Sequence, residues 1–219
     1  MLTLTPPDAE LVKAVRERLA AVWMPGDWFE LTEQVVMHYA WKGAVYLSAA
    51  SYCFAPPVIE IGTRCGYSIH AFDAAGVSRG AGPVASMAID DNEPVLCFDG
   101  AIDGDSPRCL AHFREQTEKM GISADLVVVN TKNVLALPTR YFAHVDGDHT
   151  YTGCLHDLHL VAGAHVILAD DCDNAGVRSA VSAFVNAHPG RSVQFVNDGL
   201  RTLGVISWDG PTGPSGNQG

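Results

Sequence analysis

Two short apolar runs of the chain each stop abruptly on carboxylates. The runs are 141–145 and 166–169, and the acids that follow them are Asp146, Asp148, Asp170 and Asp171. In a parallel sheet the ends of neighbouring strands lie about 5 Å apart. If both runs are strands of such a sheet, three or four carboxylates meet at its carboxyl edge.

Carboxylates held this close together either shift their pKa values apart or capture a cation. The cluster therefore predicts an oxygen-rich site suited to a hard divalent ion, with His149 beside it. The competing interpretation is that each acid caps the helix that follows its strand. One cap needs only one acid, so capping explains the whole cluster less well than ion binding does.

The composition fits one globular domain. Of the 219 residues 47% are hydrophobic, which is enough for a single core. A formal net charge of -11 argues against a general affinity for nucleic acid or for anionic membrane surfaces. No apolar stretch reaches the roughly 18 residues that a membrane-spanning helix needs.

The N-terminal residues and the cysteines predict a cytoplasmic protein. The first residues lack the basic segment and apolar segment of a signal peptide. The six cysteines are scattered and show no CxxC spacing. This usage is typical of reduced, packed cysteines and argues against a zinc site or a disulfide framework.

Apolar periodicity predicts alternating helices and strands. The helices are expected at 11–22, 28–41, 67–75, 107–120, 151–161 and 175–187, with 43–54 as a further helix or a packed connector. The strands are expected at 58–61, 84–89, 126–129, 141–145 and 166–169, and 192–196 with 203–208 form a terminal hairpin. The pattern predicts an α/β fold with a doubly wound, mostly parallel, seven-stranded sheet and a terminal antiparallel hairpin. Ligands of such sheets bind at the carboxyl ends of the strands.

A glycine turn follows the first predicted strand. Its residues are Glu60, Gly62, Thr63, Gly66 and Ser68. Glycines here let the backbone turn sharply and approach a ligand closely. The spacing is GxxxG, so it is neither the GxGxxG of a dinucleotide fold nor a phosphate loop with GK[ST]. A turn without a ligand is the alternative interpretation.

A second acidic strand end lies upstream of the cluster. Asp90 and Asp91 follow the predicted strand 84–89. A carboxylate at this point can accept hydrogen bonds from both hydroxyls of a ribose. The alternative is a solvated turn before Pro94.

Together these motifs resemble a known family. The turn from Glu60 to Gly66, an acid closing the second strand and a final hairpin resemble the class I S-adenosylmethionine-dependent methyltransferases. The block Val145-Asp146-Gly147-Asp148-His149-Thr150-Tyr151, followed by Asp170-Asp171, is similar to the metal-dependent macrocin and macrolide-sugar O-methyltransferases. The resemblance covers roughly residues 57–208. Catechol-type methyltransferases are more distant, since they have Asp-Asn where this chain has Asp170-Asp171 and usually a lysine as base.

The resemblance implies the following site residues. The cofactor S-adenosylmethionine would be bound by Glu60, Gly62, Thr63, Gly66, Ser68, Asp90, Asp91, Asn130 and Asp146. A magnesium ion, or another divalent cation in its place, would be held by Asp146, Asp170 and Asp171. His149 matches the position proposed as general base. Replacing Gly62 with a β-branched residue is expected to abolish cofactor binding and to leave the fold largely intact.

The resemblance also implies an organisation of the chain and its partners. Residues 1–55 would form a helical lid or an oligomer contact, and 56–209 the cofactor-binding domain. The Gly/Pro-rich composition of 210–219 predicts a disordered tail. The expected partner is a small hydroxylated acceptor, without nucleic acid or membrane, in a homo-oligomer.

The chemistry of methyl transfer agrees with these assignments. The reaction is an in-line displacement, so the enzyme aligns donor and acceptor and makes the acceptor oxygen nucleophilic. A magnesium ion on Asp146, Asp170 and Asp171 would lower the pKa of a substrate hydroxyl, and His149 would accept its proton. A structural role for His149, with its ring bonded to a carboxylate such as Asp148, is the alternative.

The remaining histidines carry weaker signals. His144 and His165 fall in strand regions and are expected to be packed or to face solvent. His156 and His159 are three residues apart on a helix, but no other ligand for a transition metal is evident beside them.

Three functions remain open from the sequence. The first is a divalent-metal-dependent O-methyltransferase acting on a natural-product-like acceptor. The second is a protein of the same fold that binds the cofactor as a scaffold or catalyses a reaction other than methyl transfer. The third, a nicotinamide-dependent oxidoreductase, is disfavoured by the glycine spacing.

Overall fold

A computed structural model of the chain describes residues 4, 6–23, 32–50, 57–63, 65–79, 86–90, 95–96, 102–103, 106–122, 124–129, 131–134, 137 and 141–208. The helices are α1 (Ala9–Val22), α2 (Glu33–Ala50), α3 (Tyr67–Ser78), α4 (Ser106–Met120), α5 (Tyr151–Leu160) and α6 (Ala175–Ala187). Among the described residues, none of the helices is both long and apolar enough to cross a membrane.

The strands form one large sheet and one small ribbon. They are β1 (Val58–Ile61), β2 (Ser86–Asp90), β3 (Val95–Leu96), β4 (Ile102–Asp103), β5 (Ala124–Val128), β6 (Phe142–Val145), β7 (Val166–Ala169), β8 (Arg191–Asn197) and β9 (Thr202–Trp208). The large sheet has the order β5-β2-β1-β6-β7-β9-β8, and β3 pairs with β4 alone. The first five strands of this order, β5, β2, β1, β6 and β7, run parallel to one another. Strand β9 is antiparallel to both β7 and β8.

The central strands are buried on both faces. All residues of β1, β6 and β7 are buried. Alternate side chains pack against α5 and α6 on one face: Ile59, Ile61, Ala143, Val145, Ile167 and Ala169. The intervening ones pack against α2 and α3 on the other: Val58, Phe142, Val166 and Leu168. Burial on both sides explains why these strands read as short continuous apolar runs.

The order of the strands fixes where a ligand binds. Strand β1 pairs in parallel with β2 on one side and with β6 on the other. The chain therefore builds the sheet outward in opposite directions from the β1–β6 boundary. Ligands of open α/β sheets bind in the crevice at the carboxyl ends of the strands at such a switch point.

The predicted α/β class with a mostly parallel sheet is confirmed. Strands β1 and β7 and helix α6 have the predicted bounds. The bounds of most other elements lie within three residues of their own predicted bounds. The ribbon of β3 and β4 was not predicted. The predicted tail 210–219 lies outside the described residues.

The N-terminal half of the prediction is wrong in one respect. The described parts of the two stretches predicted separately, at 28–41 and 43–54, form one continuous helix, α2 (Glu33–Ala50). This helix and α1 pack against α3 through buried side chains such as Val15, Ala40, Ala44 and Ala71. The division of the chain at residue 55 stays a prediction.

Candidate functional site

The turn after β1 touches the end of β6. Gly62 has φ +80°, and a Cβ added to it would lie 2.1 Å from the carbonyl oxygen of Asp146. The backbone N–H of Asp146 also donates to the carbonyl of Ile61 at 2.9 Å. The glycine turn and the acidic strand end are therefore in direct contact, and this contact requires glycine at position 62.

Gly62→Val is consequently expected to destabilise the fold, and the expectation that a β-branched residue is tolerated here is wrong. Left-handed φ costs an L-residue about 1–2 kcal/mol, and overpacking costs about 1–3 kcal/mol more. Unfolding by denaturant should show a loss of about 2–5 kcal/mol. Gly121→Val is the control, because Gly121 has φ +69° with nothing within 4 Å of the added Cβ. Equal losses in both variants would show that the contact with Asp146 is unimportant.

Buried polar atoms without partners line the turn. Within the described residues, Thr63 Oγ1 and Glu60 Oε2 are buried and accept or donate no hydrogen bond. Gly66, also with φ +80°, is the N-cap of α3, and a glycine has no side chain to bond the free N–H groups of the helix. Unsatisfied buried groups of this kind indicate a ligand or an ordered water that completes them.

The other predicted cofactor residues are placed unevenly. Ser68 lies buried in the first turn of α3, and its Oγ accepts a hydrogen bond from Lys42 Nζ at 3.1 Å. Asp90 is the last residue of β2, whose Ile89 is in register with Ile61 of β1. Asp90 therefore stands at the same edge of the sheet as the glycine turn. Asp91 and Asn130 lie outside the described residues.

The second carboxylate oxygen of Glu60, Oε1, is hydrogen-bonded to a histidine of the neighbouring strand. His144 on β6 is fully buried, and its Nδ1 lies 2.9 Å from Glu60 Oε1. The two residues are in register on neighbouring strands. His144 is thus packed, as predicted, and orients the Glu60 carboxylate below the turn.

Three side chains meet at the carboxyl ends of β6 and β7. Asp146, His149 and Asp171 offer ligand atoms that all lie within 4.8 Å of one another. His149 Nε2 lies 3.4 Å from Asp146 Oδ1 and 3.6 Å from Asp171 Oδ2. His149 is 40% exposed and the two carboxylates are partly exposed. The three residues therefore form an open cluster, and the His149 ring contacts these two acids and not Asp148, whose Oδ1 accepts from Thr150 N.

Asp170 is placed differently from the other acids. It is buried, with its Oδ2 bonded to the Lys42 ammonium and its Oδ1 accepting the Asp171 N–H at 2.8 Å. Asp170 belongs to a second set of possible ligand residues, together with His144 and Asp146, whose ligand atoms lie within 4.8 Å of one another. The structure thus brings Asp146 together with Asp171 and, separately, with Asp170.

Lys42 is a site residue that the sequence interpretation missed. It lies on α2, is 1% exposed, and its Nζ is 3.9 Å from Asp146 Oδ2 in addition to its contact with Asp170. Burial alone would lower the pKa of Lys42, but Asp170 and Asp146 raise it above its ordinary value. Lys42 is therefore a buried ammonium among carboxylates.

Two further contacts that the sequence did not predict tie the terminal hairpin to this edge. The Arg201 guanidinium bonds Asp171 Oδ1. His38 Nδ1 on α2 lies 2.7 Å from Asp198 Oδ2 in the β8–β9 connection. Burial lowers the pKa of His38, and the nearby Lys42 charge lowers it further. Helix α2 and the hairpin therefore flank the acid cluster from two sides.

The acids are not needed as helix caps. The N-cap of α5 is Thr150, whose side chain accepts from Gly153 N, and the N-cap of α6 is Asn174, whose side chain accepts from Gly176 N. The capping interpretation therefore does not account for Asp146, Asp170 or Asp171. Among these, Asp171 also has φ 49°, a strained conformation for a residue other than glycine.

The pKa values of Asp146 and Asp170 are shifted in opposite directions. Burial, and then the charge of Asp170, raises the pKa of Asp146 above its ordinary value. Burial also opposes ionisation of Asp170, but the Lys42 ammonium and His144 hold its pKa below its ordinary value. The hydrogen bond to Asp146 raises the pKa of His149. The cluster can therefore bind a cation and exchange a proton at its exposed end.

Known structures share this fold. No protein-family model matches the chain, and no curated protein matches it. The O-methyltransferase NovP matches with a TM-score of 0.57 and 12% identity over 92% of this chain and 99% of that chain. CalS11, a calicheamicin methyltransferase, matches with a TM-score of 0.58 and 15% identity over 95% of each chain. The apo structure of CalS11, described as a TDP-rhamnose 3′-O-methyltransferase, matches with a TM-score of 0.57 and 15% identity over 95% of this chain and 97% of that chain. The chain therefore has the α/β fold of these O-methyltransferases.

Proposed function

We propose that this chain transfers a methyl group from S-adenosylmethionine to a hydroxyl of a small natural-product-like acceptor, with the help of a divalent cation. One observation carries the proposal: the glycine turn after β1 and the cluster of Asp146, His149 and Asp171 touch each other at the switch point of a methyltransferase-type sheet. A donor bound at the turn would lie beside groups able to activate an acceptor. The fold of NovP and CalS11 supports the same reaction class.

The turn fits the cofactor. The unpartnered Thr63 hydroxyl and Glu60 Oε2 are the kind of buried polar atoms that a bound amino-acid moiety satisfies. Gly62 and Gly66 let the end of β6 and the Phe113 ring pack directly against the turn before α3. We assign the methionine moiety of the donor to these residues and the ribose to Asp90. Ser68, Asp91, Asn130 and Asp146 are the other candidates for cofactor binding.

The acid cluster fits a divalent cation. Carboxylate oxygens suit magnesium and manganese. Asp146 and Asp171 would hold the ion at the open side. Asp170, the third acid that the resemblance implies, is bonded to Lys42. When bound, such an ion acidifies and orients a coordinated hydroxyl.

His149 is the group best placed to take the acceptor proton. It is the most exposed member of the cluster, and Asp146 and Asp171 keep its Nε2 at the open side. An imidazole matches proton transfer near neutral pH. The carboxylates orient the ring and stabilise its protonated form, so His149 would both remove the proton and retain it until release.

The acceptor would approach over the same edge. Tyr151 and Leu200 are exposed apolar side chains, at 44% and 42%. Tyr151 follows His149 by two residues, and Leu200 precedes Arg201, which bonds Asp171. An acceptor with an apolar face beside its hydroxyl suits this surface. Helices α1 and α2 would form part of its lid or a contact between copies of a homo-oligomer.

The alternative is a protein of this fold that binds the cofactor without transferring its methyl group. Calorimetry with S-adenosylmethionine tests the shared step, and formation of S-adenosylhomocysteine with a panel of hydroxylated natural products tests the reaction. Binding without product on any acceptor would favour the alternative. Absence of binding would reject both.

Thr63→Val tests the cofactor site without disturbing the fold. Valine has the shape of threonine and removes only a hydroxyl that has no partner in the described chain. We expect unchanged or higher stability, and a Kd for S-adenosylmethionine weakened about threefold to tenfold, because one hydrogen bond contributes about 0.5–1.5 kcal/mol. The control is Thr117→Val on α4, since Thr117 Oγ1 already donates to the Phe113 carbonyl at 2.6 Å. An unchanged Kd in Thr63→Val would remove Thr63 from the site.

A further inference from the structure

A side-chain ammonium occupies the space between two of the acids assigned to the cation. Lys42 Nζ bonds Asp170 Oδ2 and lies 3.9 Å from Asp146 Oδ2. The oxygens of Asp146 and Asp170 are themselves near enough to bind one ion, since their ligand atoms lie within 4.8 Å of each other. An ion shared by Asp146 and Asp170 would therefore have to displace the ammonium.

Lys42 is firmly held in this position. Its Nζ also donates to Ser68 Oγ at 3.1 Å and lies 4.9 Å from the centre of the Tyr39 ring. Only 1% of Lys42 is exposed, so its ammonium has no solvent to which it can retreat without a shift of α2. A buried charge that loses its partner is strongly unfavourable, which holds the pair together.

Both oxygens of Asp170 already accept a hydrogen bond. Its Oδ2 is bonded to Lys42, and its Oδ1 accepts the Asp171 N–H at 2.8 Å. In contrast, Asp146 and Asp171 keep partly exposed oxygens that face His149 Nε2. The three acids are therefore not equivalent as ligands.

From these contacts we infer that Lys42 is a positioning residue that withholds Asp170 from the divalent ion, so that the ion binds through Asp146 and Asp171 at the open side, beside His149. The inference rests on the proposed function, because it concerns the cation named there. Through Ser68 the same ammonium joins the cofactor turn to the acid cluster. Lys42 thus sets the composition of the ion site.

Manganese binding measured by calorimetry on the full chain tests this inference without an activity assay. Asp146→Asn should weaken the Mn²⁺ affinity at least tenfold, whereas Asp170→Asn should change it less than threefold. Lys42→Met should tighten it at least tenfold, because Asp170 is released to join Asp146. Lys42→Met/Asp170→Asn should return it to within threefold of the wild-type value. Lys42→Arg keeps the charge and is the matched control with unchanged affinity.

The outcomes separate the inference from the proposed function. A tenfold loss in Asp170→Asn, or no gain in Lys42→Met, would overturn the inference. A wild-type chain that binds no Mn²⁺ would reject the metal part of the proposed function, yet a gain in Lys42→Met would still support the role of Lys42. If Lys42→Met does not fold, Lys42→Gln, which keeps a hydrogen-bond donor for Asp170, takes its place. The Mn²⁺ affinities of Asp146→Asn and Asp170→Asn, both of which retain Lys42, then decide whether Asp170 is a ligand.

Discussion

Replacing His149 with alanine should lower kcat by about 10²–10⁴-fold, the usual contribution of a general base. The affinity for S-adenosylmethionine should persist, because His149 lies with Asp146 and Asp171 and outside the glycine turn. Stability should also change little, since the ring is 40% exposed and fills no core space. Steady-state kinetics and calorimetry on the same preparation measure the two quantities separately.

The pH profile gives the test a second readout. A base works in its neutral form, so the rate should rise with pH through the pKa of His149. With no cation bound, the hydrogen bond to Asp146 raises the pKa of His149 above the ordinary histidine value of 6.5. His149→Ala should lose this rise with pH and keep residual activity at high pH, where the hydroxyl ionises unaided.

A matched histidine controls for general effects of the substitution. His165 precedes β7 and so stands at the opposite end of the strand from Asp170 and Asp171. His165→Ala should leave kcat and the pH profile unchanged. If His149→Ala retains near-normal turnover with the same profile, the base is elsewhere and only the cation assignment survives.

The fold was predictable because its signals are local. Strands buried on both faces appear as short apolar runs, as in β1 and β7, and their bounds follow from the sequence. The sequence pattern divides helix α2 just before Gly43, where a stretch of small and apolar residues begins. In the structure Gly43 lies inside the helix, where an added Cβ would stand 2.5 Å from the Ala71 carbonyl oxygen of α3. The glycine permits a close approach of two helices, which a local pattern cannot reveal.

The candidate site was predictable only in part. Acids at strand ends are recognisable in sequence, and parallel pairing of β6 with β7 brings them together. The cations are not recognisable, because Lys42 is 128 residues from Asp170, and Arg201 is 30 residues from Asp171. Neither belongs to a motif, and each reaches the acids only through tertiary packing. Positively charged side chains from distant elements therefore decide which of the acids remain available to bind a cation.

This charge compensation bears on how the chain tolerates so many acids at one edge. Asp170 is paired with a buried ammonium and Asp171 with a guanidinium. Within the described part of the chain, Asp146 has the weaker 3.9 Å contact with Lys42 and the contact with the ring of His149. Burial and the Asp170 charge accordingly raise the pKa of Asp146. Asp146 is the acid with the most to gain from a bound cation, since a cation offsets both effects.

Asp146→Asn should therefore reduce turnover at ordinary magnesium concentrations more than about 100-fold, the upper range for removal of groups that only support a metal ligand. Folding should be unharmed or slightly favoured, because the change removes a carboxylate that is repelled by Asp170. Excess EDTA should stop the wild-type enzyme, and Mn²⁺ should restore it.

The control lies two residues away in the same loop. Asp148 is exposed, and its Oδ1 accepts the Thr150 N–H at 2.7 Å, a bond that an asparagine oxygen also makes. Asp148→Asn carries the same loss of charge and should keep near-normal turnover. Equal losses in both variants would indicate a general electrostatic effect of this edge. Full wild-type activity in excess EDTA would show that Asp146 contacts the cofactor or orients His149. It would also show that the reaction needs no metal ion beyond the protein's own positively charged side chains.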